Sequence, residues 1–127
     1  MKKITRFHAV KILEWCKSKY GRSNKSYPII EFRKPDYLNA DLADGEYDYE
    51  DNFIYVNSQA HSKLEDLAST IIHEYTHYRL HKQNAYNDLA KSHRYSEHPM
   101  EKQADSIANR DKKKCVQELK KYYTQFN

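Results

Sequence analysis

The segment SKLEDLASTIIHEYTHYRLH, residues 62–81, restricts this chain more than any other. Leu64, Leu67, Ile71, Ile72, Tyr75 and Leu80 recur at helical spacing, and Ser62 with Glu65 has the form of a capping box, so the segment predicts a helix. Within it His73, Glu74 and His77 spell H-E-x-x-H. Residues four apart in a helix share a face one turn apart, so His73 and His77 present two imidazole nitrogens to one metal ion. Glu74 lies one position round, where a carboxylate takes a proton from a water that the metal activates. A random match in a chain with seven histidines is on the order of a few per cent, so context has to carry weight. Ile71, Ile72 and Tyr75 supply it, giving the helix a side to bury while the histidine face borders a cleft. The competing reading is two surface histidines beside an acid.

A catalytic zinc site takes three protein ligands and keeps one position open. His81 lies one turn beyond His77, but His73 and His81 would stand roughly 12 Å apart along the axis, too far to meet at one ion. The remaining candidates are His93, Glu97, His98 and Glu101. Glu101 is preferred: Pro99 suits the first turn of a new helix in HPMEKQADSIA, and a carboxylate there is held rigidly. Ala104 is small enough to let that helix approach the first, and Asp105 is placed to accept the second N–H of a ligand histidine. His93 and His98 stay open as alternatives. Two imidazoles and a carboxylate suit zinc. Tyr78, Tyr95 and His98 are candidate donors to a transition-state oxyanion, whereas His8 and His61 read as structural or surface residues.

The rest of the chain frames this helix. Ala9, Ile12, Leu13, Cys16 and Tyr20 fall on one helical face closed by Gly21, predicting a helix over 4–20. Tyr27 to Phe32 reads as a strand ended near Pro35. Residues 38–58 read as a hairpin: LNADL, a turn at Ala43–Asp44–Gly45, then GEYDYEDN leading into FIYVNS through an Asp-Asn turn. Residues 82–97 are polar and patternless and read as a loop. Met100, Ala104, Ile107 and Ala108, then Cys115, Leu119, Tyr122 and Phe126, give helical character to the end, with a break at Asn109–Arg110–Asp111 dividing it in two. Helix, strands, helix and helix in that order imply an α+β fold: a small antiparallel-containing sheet packed on the H-E-x-x-H helix.

HEYTH, a loop and then HPMEKQAD resemble the zincin metallopeptidases whose third ligand is a glutamate, above all the small ImmA/IrrE-like peptidases and short relatives from phages and mobile elements. The resemblance covers roughly residues 38–108. It implies zinc held by His73, His77 and Glu101, with Glu74 as the catalytic base. It also implies that DGEYDYEDNFIYVN supplies an edge strand along the cleft that pairs with substrate backbone. Thr76 departs from the glycine that many such proteins carry before the second histidine. No helix-turn-helix or sensory domain is read here, so a repressor-cleaving switch is not carried over. SprT-like zincins use a histidine as third ligand, but they usually add a cysteine zinc ribbon that this sequence does not contain.

Composition narrows the alternatives. The 127 residues fit one domain, 1–127, and 13% aromatic content with twelve tyrosines argues against disorder. Cys16 and Cys115 have no C-x-x-C spacing and read as reduced thiols. MKKITRFHAV is followed by no apolar run of signal-peptide length, and no stretch approaches membrane-spanning length, so a cytoplasmic protein is expected. The net charge of +4 is spread along the chain, and Lys112–Lys113–Lys114 reads as a solvated helix face, leaving nucleic acid an unfavoured partner. The expected activity is zinc-dependent hydrolysis of a protein or peptide. The alternative is a binding or regulatory module of zincin fold, of phage or mobile-element origin, that holds a partner without cutting it.

Overall fold

The computed structural model describes residues 3–35 and 44–127. The strand expected at LNADL, and Ala43 of the turn after it, lie outside the described residues. The described residues form four helices and a three-stranded sheet: α1 (Arg6–Tyr20), β1 (Ile29–Arg33), β2 (Gly45–Asp48), β3 (Phe53–Asn57), α2 (Leu64–Leu80), α3 (Gln83–Ala90) and α4 (Pro99–Tyr122). Short 3-10 turns lie at Tyr95–Glu97 and Thr124–Phe126. The fold is α+β, as the element order implies.

The sheet is mixed, in the order β1-β3-β2. β1 runs parallel to β3, pairing Ile30 with Ile54, and β2 runs antiparallel to β3, pairing Tyr47 with Ile54. Local alternation reveals the hairpin but not the parallel pair, because a parallel partner is chosen by the long connection and not by a turn. The Asp-Asn turn forms as read: Asp48 Oδ1 accepts the N–H groups of Glu50 and Asp51 at 2.9 and 3.0 Å. Asn52 takes the left-handed conformation at φ 59° that asparagine tolerates. β1 begins at Ile29, two residues later than the apolar run suggests.

α2 is the centre of the molecule. Every residue from Thr70 to Tyr78 is buried. It packs against α1, β2, β3 and α4, so its apolar residues join Ile12, Ile54, Val56 and Cys115 in one core. Burial of Leu67, Ile71 and Ile72, each fully enclosed, stabilises the fold by about 1.5–3 kcal/mol apiece. Thr76 turns its hydroxyl back onto the Ile72 carbonyl at 2.8 Å.

Three expectations are corrected. α2 begins at Leu64 with an extended Lys63 at the cap and no side-chain cap bond. Ser62 therefore sits one residue outside, and Glu65 and Asp66 serve the helix start by charge alone. The 82–97 segment is largely helical. α3 buries none of its residues, and its apolar positions Ala85, Tyr86, Leu89 and Ala90, although at helical spacing, span only two turns. α4 is continuous through Asn109–Arg110–Asp111 because Asp111 is bonded there, accepting the Tyr20 hydroxyl at 2.6 Å and Arg110 Nη2 at 2.9 Å.

α1 stops at Gly21, φ 81°, whose N–H bonds the Lys17 carbonyl. At its start His8 Nδ1 accepts the Thr5 N–H at 3.0 Å, and His8 Nε2 donates to the Gln125 carbonyl at 2.7 Å. His61 bonds Thr70 Oγ1 at 2.8 Å, so both histidines are structural. Cys16 and Cys115 are free and buried. No helix among the described residues is long and apolar enough to cross a membrane.

Candidate metal centre

α2 presents His73, Glu74 and His77 on one face, their ligand atoms all within 4.8 Å of one another. The first turn of α4 brings Glu101 to the same point. Glu101 Oε1 lies 2.7 Å from His73 Nε2 and 3.0 Å from His77 Nε2, and the two Nε2 atoms are 3.2 Å apart. Tetrahedral zinc with bonds near 2.1 Å holds its ligand atoms about 3.4 Å apart, so this triangle needs to widen by only tenths of an ångström to take the ion. Two imidazole nitrogens and one carboxylate oxygen on rigid helical supports thus fit a divalent transition metal. Glu74 Oε2 stands back at 3.9 Å from His73 Nε2, the farther of the two carboxylates.

The helices meet this closely because Ala104, one turn after Glu101, is fully buried. Pro99 opens α4, and His98 caps it by accepting the Met100 N–H at 3.1 Å. His98 Nε2 meanwhile donates to the Tyr86 carbonyl at 2.9 Å. His93 is exposed and bonds the Leu89 carbonyl at 2.9 Å. Neither alternative third ligand is brought to the cluster.

Each site residue is held by a second contact. His73 Nδ1 donates to Asp105 Oδ1 at 2.8 Å, and His77 Nδ1 lies 2.9 Å from His81 Nδ1. His81 Nε2 in turn lies 2.7 Å from Gln103 Oε1. The Tyr86 hydroxyl donates to Glu101 Oε2. Tyr86, His81 and Gln103 were not legible as site residues. Tyr86 sits on a two-turn helix within a polar segment, and His81 meets Gln103 only through the α2–α4 packing.

Electrostatics at the cluster are strongly coupled. Burial opposes the imidazolium of His73, but the Glu101 bond and the charges of Glu74, Glu101 and Asp105 outweigh it and raise its pKa to about 9. Burial pushes Glu74 up to about 7, against the pull of His73 and His77 and of a bond from the Tyr47 backbone. Burial acts on Glu101 too, yet the bonds from His73, His77 and Tyr86 hold it well below the usual carboxylate range. Glu101 is thus held ionised between the two histidines, and Glu74 is a buried carboxyl that titrates near neutrality.

The cluster opens onto a cleft of about 570 Å³ whose walls include Tyr47, Tyr49, Glu74, Tyr86, Tyr95 and Glu101. Among the described residues β2 is an edge strand, and it forms one side of the cleft. Of the candidate oxyanion donors, Tyr95 reaches it. Tyr78 is occupied with the Ser23 N–H and the Lys25 carbonyl, and His98 with the α4 cap. The sequence reading passed over Tyr49, whose buried hydroxyl has no partner among the described residues.

The family of IrrE N-terminal-like domains, Peptidase_M78, matches residues 26–110, from just before β1 to Arg110 in α4. No curated protein and no solved structure gives a significant match.

Proposed function

The chain belongs to the IrrE N-terminal-like peptidase family, and from that premise we propose that it is a zinc-dependent metallopeptidase. His73, His77 and Glu101 hold the zinc, and Glu74 is the general base. One observation carries this: a single carboxylate oxygen of Glu101 lies within 3.0 Å of both histidine Nε2 atoms, with a second carboxylate beside them. A divalent ion held by these residues would supply Lewis acidity toward a water and the scissile carbonyl.

The chain's own groups do the rest. Glu74, enclosed and held by the Tyr47 backbone, takes the proton of the attacking water and passes it to the leaving amine. Asp105 fixes His73 with its Nε2 free to ligate. The outer edge of β2 offers main-chain groups to an extended peptide lying in the cleft. Tyr95 and Tyr49 are phenols positioned to donate to the oxyanion that develops on the carbonyl.

The test is Glu74→Gln, with zinc content and cleavage of a peptide library measured on the same preparations. Zinc is expected to remain at one per chain while cleavage falls by at least about a hundredfold. Undiminished cleavage rejects the mechanism. Zinc binding with no cleavage by the wild type supports the binding-module alternative.

A further inference from the structure

His81 does not belong to the ligand triangle, and its place in the fold gives it another task. It ends α2, and its ring lies beside that of His77, with centroids 5.0 Å apart. The contacts run in one line: His77 Nδ1 to His81 Nδ1 at 2.9 Å, then His81 Nε2 to Gln103 Oε1 at 2.7 Å. His81 is buried. We propose that His81 and Gln103 are the positioning residues of the second histidine ligand, a neutral hydrogen-bonded relay that fixes the tautomer and plane of the His77 ring.

The proton order follows from the ligand end. An imidazole that binds a metal through Nε2 carries its proton on Nδ1. His77 therefore donates to His81 Nδ1, which must be bare, so the His81 proton sits on Nε2 and is donated to the Gln103 carbonyl oxygen. Each donor meets one acceptor, and no nitrogen in the line is left unmatched. Reversing any bond would put the proton of His77 on Nε2, facing Glu101 and the metal position.

The two ligand histidines are thus supported differently. His73 leans on a carboxylate, Asp105, whereas His77 leans on a neutral ring and amide. A second carboxylate would add negative charge beside Glu101 and Asp105 and offset more of the ion's charge. A neutral relay orients His77 without doing so. Glu101, Gln103 and Asp105 all come from the first turns of α4, so one helix supplies both the third ligand and the outer support of the other two.

This inference rests on the reading of His73, His77 and Glu101 as ligands, and the experiment separates the two. Nitrogen-15 NMR of histidine-labelled protein, with and without zinc, reads each tautomer directly, and competition with a chromogenic chelator reads zinc affinity. His81 is expected as the Nε2–H tautomer. His81→Phe is expected to weaken zinc binding about 10–100-fold, and His81→Asn, whose side-chain oxygen replaces Nδ1 as acceptor, to restore most of it. Gln103→Leu, altering an exposed residue that folding does not need, is expected to weaken binding by a few-fold. A wild type that binds one zinc while His81 carries its proton on Nδ1 overturns the relay. Unchanged affinity in both His81→Phe and Gln103→Leu does the same. A wild type that binds no zinc overturns the ligand reading and with it the relay's role, whatever the His81 tautomer.

Discussion

Glu74 is an enclosed carboxylate with a raised pKa, and that has a sign. Its folded-state pKa of about 7 lies above the ordinary 4.5, so folding favours the protonated form. Its contribution to stability is full below pH 4.5 and is lost as pH rises through 7. His73 runs over a different window: its pKa is raised from 6.5 to about 9, so its contribution holds below 6.5 and is lost as pH rises through 9. At pH 8 in EDTA, Glu74→Gln is expected to be more stable than the wild type by about 1–2 kcal/mol, because the amide keeps the shape without the buried charge. The gain falls short of the full shift, since His73 loses one of the charges that raise its pKa. Thermal melts at pH 5 and pH 8 check this: the advantage should shrink at pH 5, and an advantage independent of pH would show that burial of the charge is not its source. A buried carboxylate kept at the expense of stability is what a functional site leads one to expect.

Elements decide how such residues meet, and β2 shows how tightly. A Cβ on Gly45 would lie 2.6 Å from the Tyr55 carbonyl oxygen and 2.9 Å from Thr70 Cγ2, so only glycine lets the strand start between β3 and α2. Gly45→Ala is expected to push β2 outward, at a cost of about 1–3 kcal/mol. It also carries the Tyr47 N–H away from Glu74. Zinc affinity should stay within about threefold of wild type because no ligand sits on β2, a comparison that chelator competition makes. Peptide cleavage should fall. A parallel loss of zinc would mean that β2 supports the ligands and not the substrate.

Legibility divides along the same line. The α2 pattern and the Pro99 start of α4 are local signals, and they picked out the four side chains, His73, Glu74, His77 and Glu101, that the fold brings together. The β1–β3 pairing, the Tyr86–Glu101 bond and the His81–Gln103 contact depend on parts distant in sequence, where periodicity has nothing to register. Ser62 misled because its cap chemistry is right but its position is one residue early. Asn109–Arg110–Asp111 misled because a buried hydrogen bond from Tyr20 holds Asp111 where composition alone suggests a break.

At the scale of the whole molecule, the site fastens α2 to α4. α2 lies in the core, anchored by α1 and the sheet. α4 reaches α1 through the Trp15 indole, which donates to Glu118 at 2.7 Å, and through the Tyr20–Asp111 bond. At the other end of α4 the main polar tie to α2 is the cluster itself, with Glu101 on one side and the two histidines on the other. An ion bound there is a cross-link that exists only in the folded state, so it stabilises by mass action: at a free concentration a hundredfold above Kd, by about 2.7 kcal/mol. For a chain of this size that corresponds to a rise in Tm of roughly 10 °C. The wild type should show that rise on adding zinc and lose it in EDTA. Glu101→Gln keeps the volume and the Tyr86 contact but not the charge, and should abolish most of the shift. His93→Ala should leave the shift intact, because His93 lies on the surface and bonds only within its own turn. A zinc-dependent shift that survives Glu101→Gln but fails in His93→Ala would transfer the third-ligand role to the loop and detach α4 from the metal altogether.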